Sequence, residues 1–115
     1  MRSMLYAKIH RARVTGTMLD YEGSVAIGPE LLKKADILPY EEVHILNVNN
    51  GARFTTYAIR GQKGQVDLRG AAARLAAPGD VVIILSYHQM QEKEAIDCKP
   101  KIVHVDEKNR IIPLK

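Results

Sequence analysis

Scarcity defines this chain first. A single cysteine, Cys98, rules out an internal disulfide and makes a reducing compartment the simplest setting. Tryptophan is absent and phenylalanine occurs once, so aliphatic side chains have to build the core. No apolar run approaches the ~20 residues that span a bilayer. Val81–Leu85 is the longest later stretch, and Lys8 interrupts Met4–Ala7, which is too short for a signal peptide. His10, His44, His88 and His104 lie far apart without ligand-like spacing, which gives no metal site. A glycine-rich phosphate loop is missing. Charge of one sign is also in short supply. The net charge is +4, and the basic residues are interleaved with Asp20, Glu22, Glu41, Glu42, Asp67 and Asp80. A nucleic-acid surface needs clustered Lys and Arg, so that partner is disfavoured. The expectation is a cytoplasmic protein with no membrane, metal or nucleic acid.

What is present reads as mainly β with short helices. The 115 residues fit one domain, and 46% apolar residues suffice for a packed core. A chain this short buries a modest fraction of its surface, so partner subunits can complete the core. Met4–His10 alternates as a half-buried strand, with Leu5, Ala7 and Ile9 on one face and Tyr6, Lys8 and His10 on the other. Val25–Ile27 is a short strand, and Gly28-Pro29-Glu30 opens a helix that runs to Asp36. Glu42–Val48 and Arg53–Arg60 are strands joined by Asn49-Asn50-Gly51, a hairpin turn with positive φ expected at both central positions. Val66–Leu68 is a strand and Gly70–Ala76 a short helix. Val81–Tyr87 is a strand, Glu92–Ile96 a helical turn, and Lys101–Val105 and Ile111–Leu114 the last strands. Pro39–Leu46 aligns without a gap on Pro78–Leu85, and each copy follows a short helix. Two strand–helix–strand units sharing one core make a small closed barrel plausible, because closure removes sheet edges.

Three clusters can carry chemistry. In Tyr21-Glu22-Gly23-Ser24 the serine hydroxyl can attack the preceding carbonyl, since glycine reaches strained angles and leaves that carbon open. The ester so formed breaks by β-elimination, and the dehydroalanine left behind hydrolyses to pyruvoyl. Oxygen charge develops at each step and needs a nearby donor. Gly-Ser pairs also occur in ordinary turns. The second cluster is Asn50-Gly51-Ala52-Arg53-Phe54-Thr55-Thr56-Tyr57. Arg53, just after a tight turn, can hold a carboxylate in a two-pronged grip. It shares a strand face with Tyr57, whereas Thr56 falls on the other face and needs a bulge or twist to join them. A surface hairpin with a buried tyrosine is the plainer account. The third cluster is Gly70-Ala71-Ala72-Ala73-Arg74. Its small residues either let a ligand approach the backbone or simply pack a short helix tightly.

Together these pieces resemble the bacterial aspartate 1-decarboxylases. The match runs through Met4-Leu5, Lys8-Ile9-His10-Arg11-Ala12, Val14-Thr15 and Tyr21-Glu22-Gly23-Ser24. It continues through Asn50–Ala58, Gly70–Ala73 and Pro78-Gly79-Asp80 with Val82-Ile83-Ile84, and so covers nearly the whole chain. The resemblance implies a double-psi β-barrel, a homotetramer with active sites between subunits, and self-processing into residues 1–23 and 24–115. It implies that Ser24 becomes a covalent pyruvoyl cofactor, with Gly23 at the cut and Thr56 assisting cleavage and contacting substrate. Lys8 and Arg53 look like carboxylate partners of L-aspartate, and Tyr57 like the proton donor to the product. His10 and Tyr21 resemble residues that shape the pocket, and Gly70, Ala71 and Ala72 resemble substrate-contacting backbone. The implied product is β-alanine, for pantothenate and coenzyme A synthesis. Two positions depart from the family pattern: Arg69 stands where asparagine is usual, and Leu46 where an aromatic is common. The competing readings are a pyruvoyl-dependent decarboxylase of another acidic amino acid, an unprocessed inactive relative, and a basic barrel that binds nucleic acid.

Overall fold

The computed structural model describes residues 1–113; Leu114, expected in the last strand, lies outside the described residues. One sheet contains β1 (Arg2–Arg13), β2 (Gly16–Met18), β3 (Ser24–Ile27), β4 (Glu42–Asn47), β5 (Arg53–Arg60), β6 (Val66–Arg69), β7 (Val81–Met90), β8 (Lys101–Val105) and β9 (Ile111–Ile112). Two short helices, α1 (Pro29–Ala35) and α2 (Glu92–Ile96), and a 3₁₀ helix, Gly70–Leu75, complete the described residues. The fold is mainly β with short helices, as expected.

The repeat in the sequence explains how the sheet closes. The strands flanking α1 are β3 and β4; those flanking the 3₁₀ helix are β6 and β7. β3 pairs antiparallel with β6, and β4 pairs antiparallel with β7, where the repeat-aligned residues Ile45 and Ile84 face each other. β5 bridges one unit, lying parallel to β3 and antiparallel to β4. β1 and β2 bridge the other, antiparallel to β7 and parallel to β6. The link Val14-Thr15 joins these two strands. Val14 N–H donates to the Asp80 carbonyl at 2.9 Å and Thr15 N–H to the Val66 carbonyl at 2.8 Å. The ring is thus closed through the chain itself, which is compatible with the double-psi β-barrel.

Ile9, Val25, Ile27, Val43, Ile45, Leu68 and Ile84 fill the interior and are fully buried. Each such side chain contributes about 1.5–3 kcal/mol relative to exposure. All of β3 is buried, so its first residue is held at the edge of the core. α1 starts at Pro29 and stops where Asp36 takes a left-handed conformation (φ 56°).

Three local expectations differ. β2 was not anticipated; two of its three residues are exposed, so no alternation marks it. Within the Asn49–Gly51 turn only Gly51 has positive φ (76°). The turn is instead tied by Gly51 N–H to the Asn47 carbonyl and by Ala52 N–H to Asn50 Oδ1, each at 2.8 Å. The Ala-rich helix is a six-residue 3₁₀ turn, entered through Gly70 at φ 69°.

Candidate functional site

Ser24 opens β3 and is only 2% exposed, whereas Gly23 before it is exposed. The Ser24 hydroxyl donates to the Glu22 carbonyl at 3.4 Å, a long contact that holds it weakly. Gly70 presses on this junction. A Cβ on Gly70 would lie 2.6 Å from Gly23 Cα, 2.7 Å from Gly23 N and 2.8 Å from the Tyr21 carbonyl oxygen. Only glycine permits that approach together with a left-handed φ. A Cβ on Gly23 itself would meet nothing nearer than the Arg69 carbonyl oxygen, at 4.0 Å. The junction is therefore braced on one side and open on the other.

β5 runs past this junction in unbroken register with β4, from Tyr57 opposite Glu42 to Arg53 opposite Leu46. No bulge brings Thr56 round to the side of Tyr57. Ordinary alternation sends them to two sides. Tyr57 lines a cavity of about 390 Å³ with Tyr21, Ser24, Tyr40 and Arg60. Thr56 lines a recess of about 250 Å³ with Gly23, Ala71 and Ala72. The Gly23-Ser24 junction thus borders a recess lined by Thr56 on one flank and a cavity lined by Tyr57 on the other.

Arg53 stands in a third cavity, of about 550 Å³, with Glu41, Glu42, His44 and Tyr87. Its Nη2 donates to the Tyr87 hydroxyl at 3.4 Å. Lys8 and His10 sit on β1 beside β8 and line none of these three cavities. His10 meets His104 edge to face, with 5.4 Å between ring centres. Its Nδ1 is buried without a partner. Burial foremost, then Lys8, His104 and Arg11, push the His10 pKa below its ordinary 6.5, so the ring is neutral at neutral pH. One copy of the chain therefore gathers Tyr21, Gly23, Ser24, Thr56, Tyr57, Gly70, Ala71 and Ala72. It leaves Lys8, His10 and Arg53 elsewhere on its surface.

Several neighbours escaped the sequence reading. Tyr40 lines the Ser24 cavity, with its ring 6.2 Å from that of Tyr57. It lies in a turn with φ 72° and is 79% exposed, so periodicity says nothing of it; an aromatic directly after Pro39 was the available signal. Glu41 accepts a hydrogen bond from the buried Ser86 and lies 3.3 Å from His88 Nε2, a cluster assembled across two segments with no shared spacing. Arg69 lays its guanidinium over the Tyr21 ring, 4.7 Å from the centroid.

The profile of the family described as aspartate decarboxylase matches residues 1–112. Over 110 residues the chain is 56% identical to an aspartate 1-decarboxylase from Campylobacter hominis, covering 96% of each chain. Over 114 residues it is 51% identical to an aspartate 1-decarboxylase from Hydrogenobaculum, covering 99% of this chain and 91% of the relative. An aspartate 1-decarboxylase from Legionella pneumophila is 54% identical over 112 residues, with 96% of this chain and 84% of the relative covered.

Proposed function

The chain belongs to the aspartate decarboxylase family, and from that premise we propose that it converts L-aspartate to β-alanine and CO₂ with a pyruvoyl group that it makes from its own Ser24. The observation that carries this reading is the Gly23-Ser24 junction: a buried serine after an exposed glycine, braced by Gly70. The residues present fit the group, because residue 24 is shielded from bulk water yet borders a cavity that can admit an amino acid. A bound pyruvoyl group supplies an electron sink for the pair left behind by departing CO₂.

The chain's own residues supply the rest. Thr56 offers a donor to the oxygen charge that develops on Gly23 during self-cleavage. Tyr57 returns a proton to the product carbon, and Tyr21 walls the cavity. Gly70, Ala71 and Ala72 keep backbone accessible to substrate. Arg53 fixes one aspartate carboxylate by a two-pronged hydrogen bond, leaving the other free to depart. Lys8 adds a second cation, and neutral His10 shapes the pocket beside it.

Lys8, His10 and Arg53 stand apart from Ser24 within one copy. That separation favours a homotetramer in which each site is completed across a subunit boundary. Leu38 and Tyr40, 66% and 79% exposed, offer apolar surface for such contacts. No helix among the described residues is long and apolar enough to cross a membrane. The setting we propose is the cytoplasm, with β-alanine feeding pantothenate and coenzyme A synthesis.

Intact mass tests the reading directly. Purified protein should show two chains, residues 1–23 and 24–115, with residue 24 lacking its amine; one full-length mass overturns self-processing. Ser24→Ala should fold, stay uncut and make no β-alanine.

A further inference from the structure

We propose that Arg69 binds the carboxylate that self-cleavage creates at Gly23. The proposal rests on the processing reading above. It begins from a cation without an anion. Among the described residues no carboxylate pairs with Arg69, and its Nε is buried with no hydrogen-bond partner. Its guanidinium lies over the ring of Tyr21. A guanidinium on a ring face keeps its in-plane N–H donors free for an acceptor.

Its position explains which acceptor. Arg69 is the residue opposite Ser24 in the antiparallel β3–β6 pair. Its carbonyl oxygen is the nearest neighbour on the open side of Gly23, and the next residue, Gly70, abuts Gly23 directly. The stacked Tyr21 precedes Gly23 by two positions. An arginine is thus held beside a peptide bond that is neutral before the cut and ends in a carboxylate after it.

The covalent steps place that charge. Ser24 Oγ adds to the Gly23 carbonyl carbon, the C–N bond breaks, and the hydroxyl proton passes to the freed Ser24 nitrogen. The product is an ester. Water, acting as a general base, then takes the Ser24 Cα proton. The Cβ–Oγ bond breaks, its electron pair leaves with the Gly23 carboxylate, and residue 24 becomes dehydroalanine. The Arg69 guanidinium, held over Tyr21 two residues before the cut, reaches this leaving group, stabilises it as its charge grows, and afterwards keeps the new terminus in place.

The test follows newly made protein by intact mass, with hydroxylamine added to cleave any ester. Arg69→Met should pass through the ester at least about tenfold more slowly than wild type, accumulating full-length, hydroxylamine-sensitive chain; Arg69→Lys should recover part of the rate. A second readout needs no variant. With ¹³C-labelled glycine, the only titrating glycine carboxylate in processed wild type is that of Gly23. It should titrate below the usual α-carboxyl range of about 3.3–3.7. Cleavage of a folded Arg69→Met protein at the wild-type rate overturns the assignment, as does ordinary titration of Gly23; if that variant fails to fold, the titration decides alone. Wild type that remains one uncut chain instead overturns the processing reading itself.

Discussion

Gly70 and Gly23 meet backbone to backbone, and the place where a Gly70 side chain would begin is already within 2.6 Å of the Gly23 Cα. Gly70→Ala therefore forces both a strained left-handed alanine and a displaced loop. A residue held in such a conformation costs about 1–3 kcal/mol. We expect a lowered melting temperature and, by intact mass, slow or absent cutting after Gly23. Normal processing at unchanged stability would show that the brace is dispensable.

Tyr57→Phe separates maturation from turnover. The ring still fills the cavity, but the proton donor is gone. The variant should be cut into two chains like wild type and make β-alanine about 10²–10⁴-fold more slowly. Mass spectrometry reads the first effect and a β-alanine assay the second. Full turnover in the processed variant would remove Tyr57 from the proton step.

His10 gives a pH signature. Its folded pKa is lowered, by burial first and by Lys8 next, so the unfolded chain takes up this proton at higher pH than the folded one. The contribution of neutral His10 to stability is complete above 6.5 and is lost as pH falls from that value toward the folded pKa. Imidazole NMR should place its midpoint below 6.5, and Lys8→Met should raise it only partway because burial remains. A wild-type midpoint at or above the ordinary value would contradict this.

Asn47 is 2% exposed and spends its side chain on three partners. Its Nδ2 donates to the Leu75 carbonyl at 3.1 Å and to Asp80 Oδ2 at 2.9 Å, and its Oδ1 accepts from Asn49 N–H at 2.9 Å. These bonds join the β4 end to the turn before β7. Asn47→Leu leaves the partners unpaired and should cost on the order of 1–3 kcal/mol in a chemical or thermal melt. Asp80 supplies an internal check. Its carboxyl is held below 3.8 by Asn47 first and the Ala77 N–H second, so the stabilising effect is present above that value and fades as pH falls through the folded pKa. In the variant its titration should move upward.

The parts of this fold that were legible in sequence are those governed by local periodicity or by a single special residue. β1 could be read from the alternation of Leu5, Ala7 and Ile9, and the opening of α1 from Pro29. The repeat was legible too, and the facing of Ile45 and Ile84 gives it physical meaning. What stayed hidden depends on distant chain segments. Nothing local announces that Thr15 bonds to Val66 or that Glu41 collects Ser86 and His88. At the candidate site, alternation puts Thr56 and Tyr57 on opposite faces of β5 but does not say that both faces border the Gly23-Ser24 junction. Its flanks border two spaces, a fact set by where Gly23 and Ser24 pass and not by β5 itself. Arg69 was visible as a departure, but its stacking on Tyr21 belongs to the pairing of β3 with β6.

The closure through Val14-Thr15 has a consequence for the proposed cut. Residues 1–23 contain β1, whose Ala7, Ile9 and Ala12 are wholly buried between β7 and β8. A chain broken after Gly23 would keep this fragment by non-covalent contacts alone, threaded through the sheet as a staff is threaded through a woven wall. Before the break, one molecule folds by itself; after it, two must find each other. The mature protein, once denatured, should therefore regain even its barrel at a rate that depends on dilution, whereas in the uncut Ser24→Ala chain only assembly between subunits should depend on it.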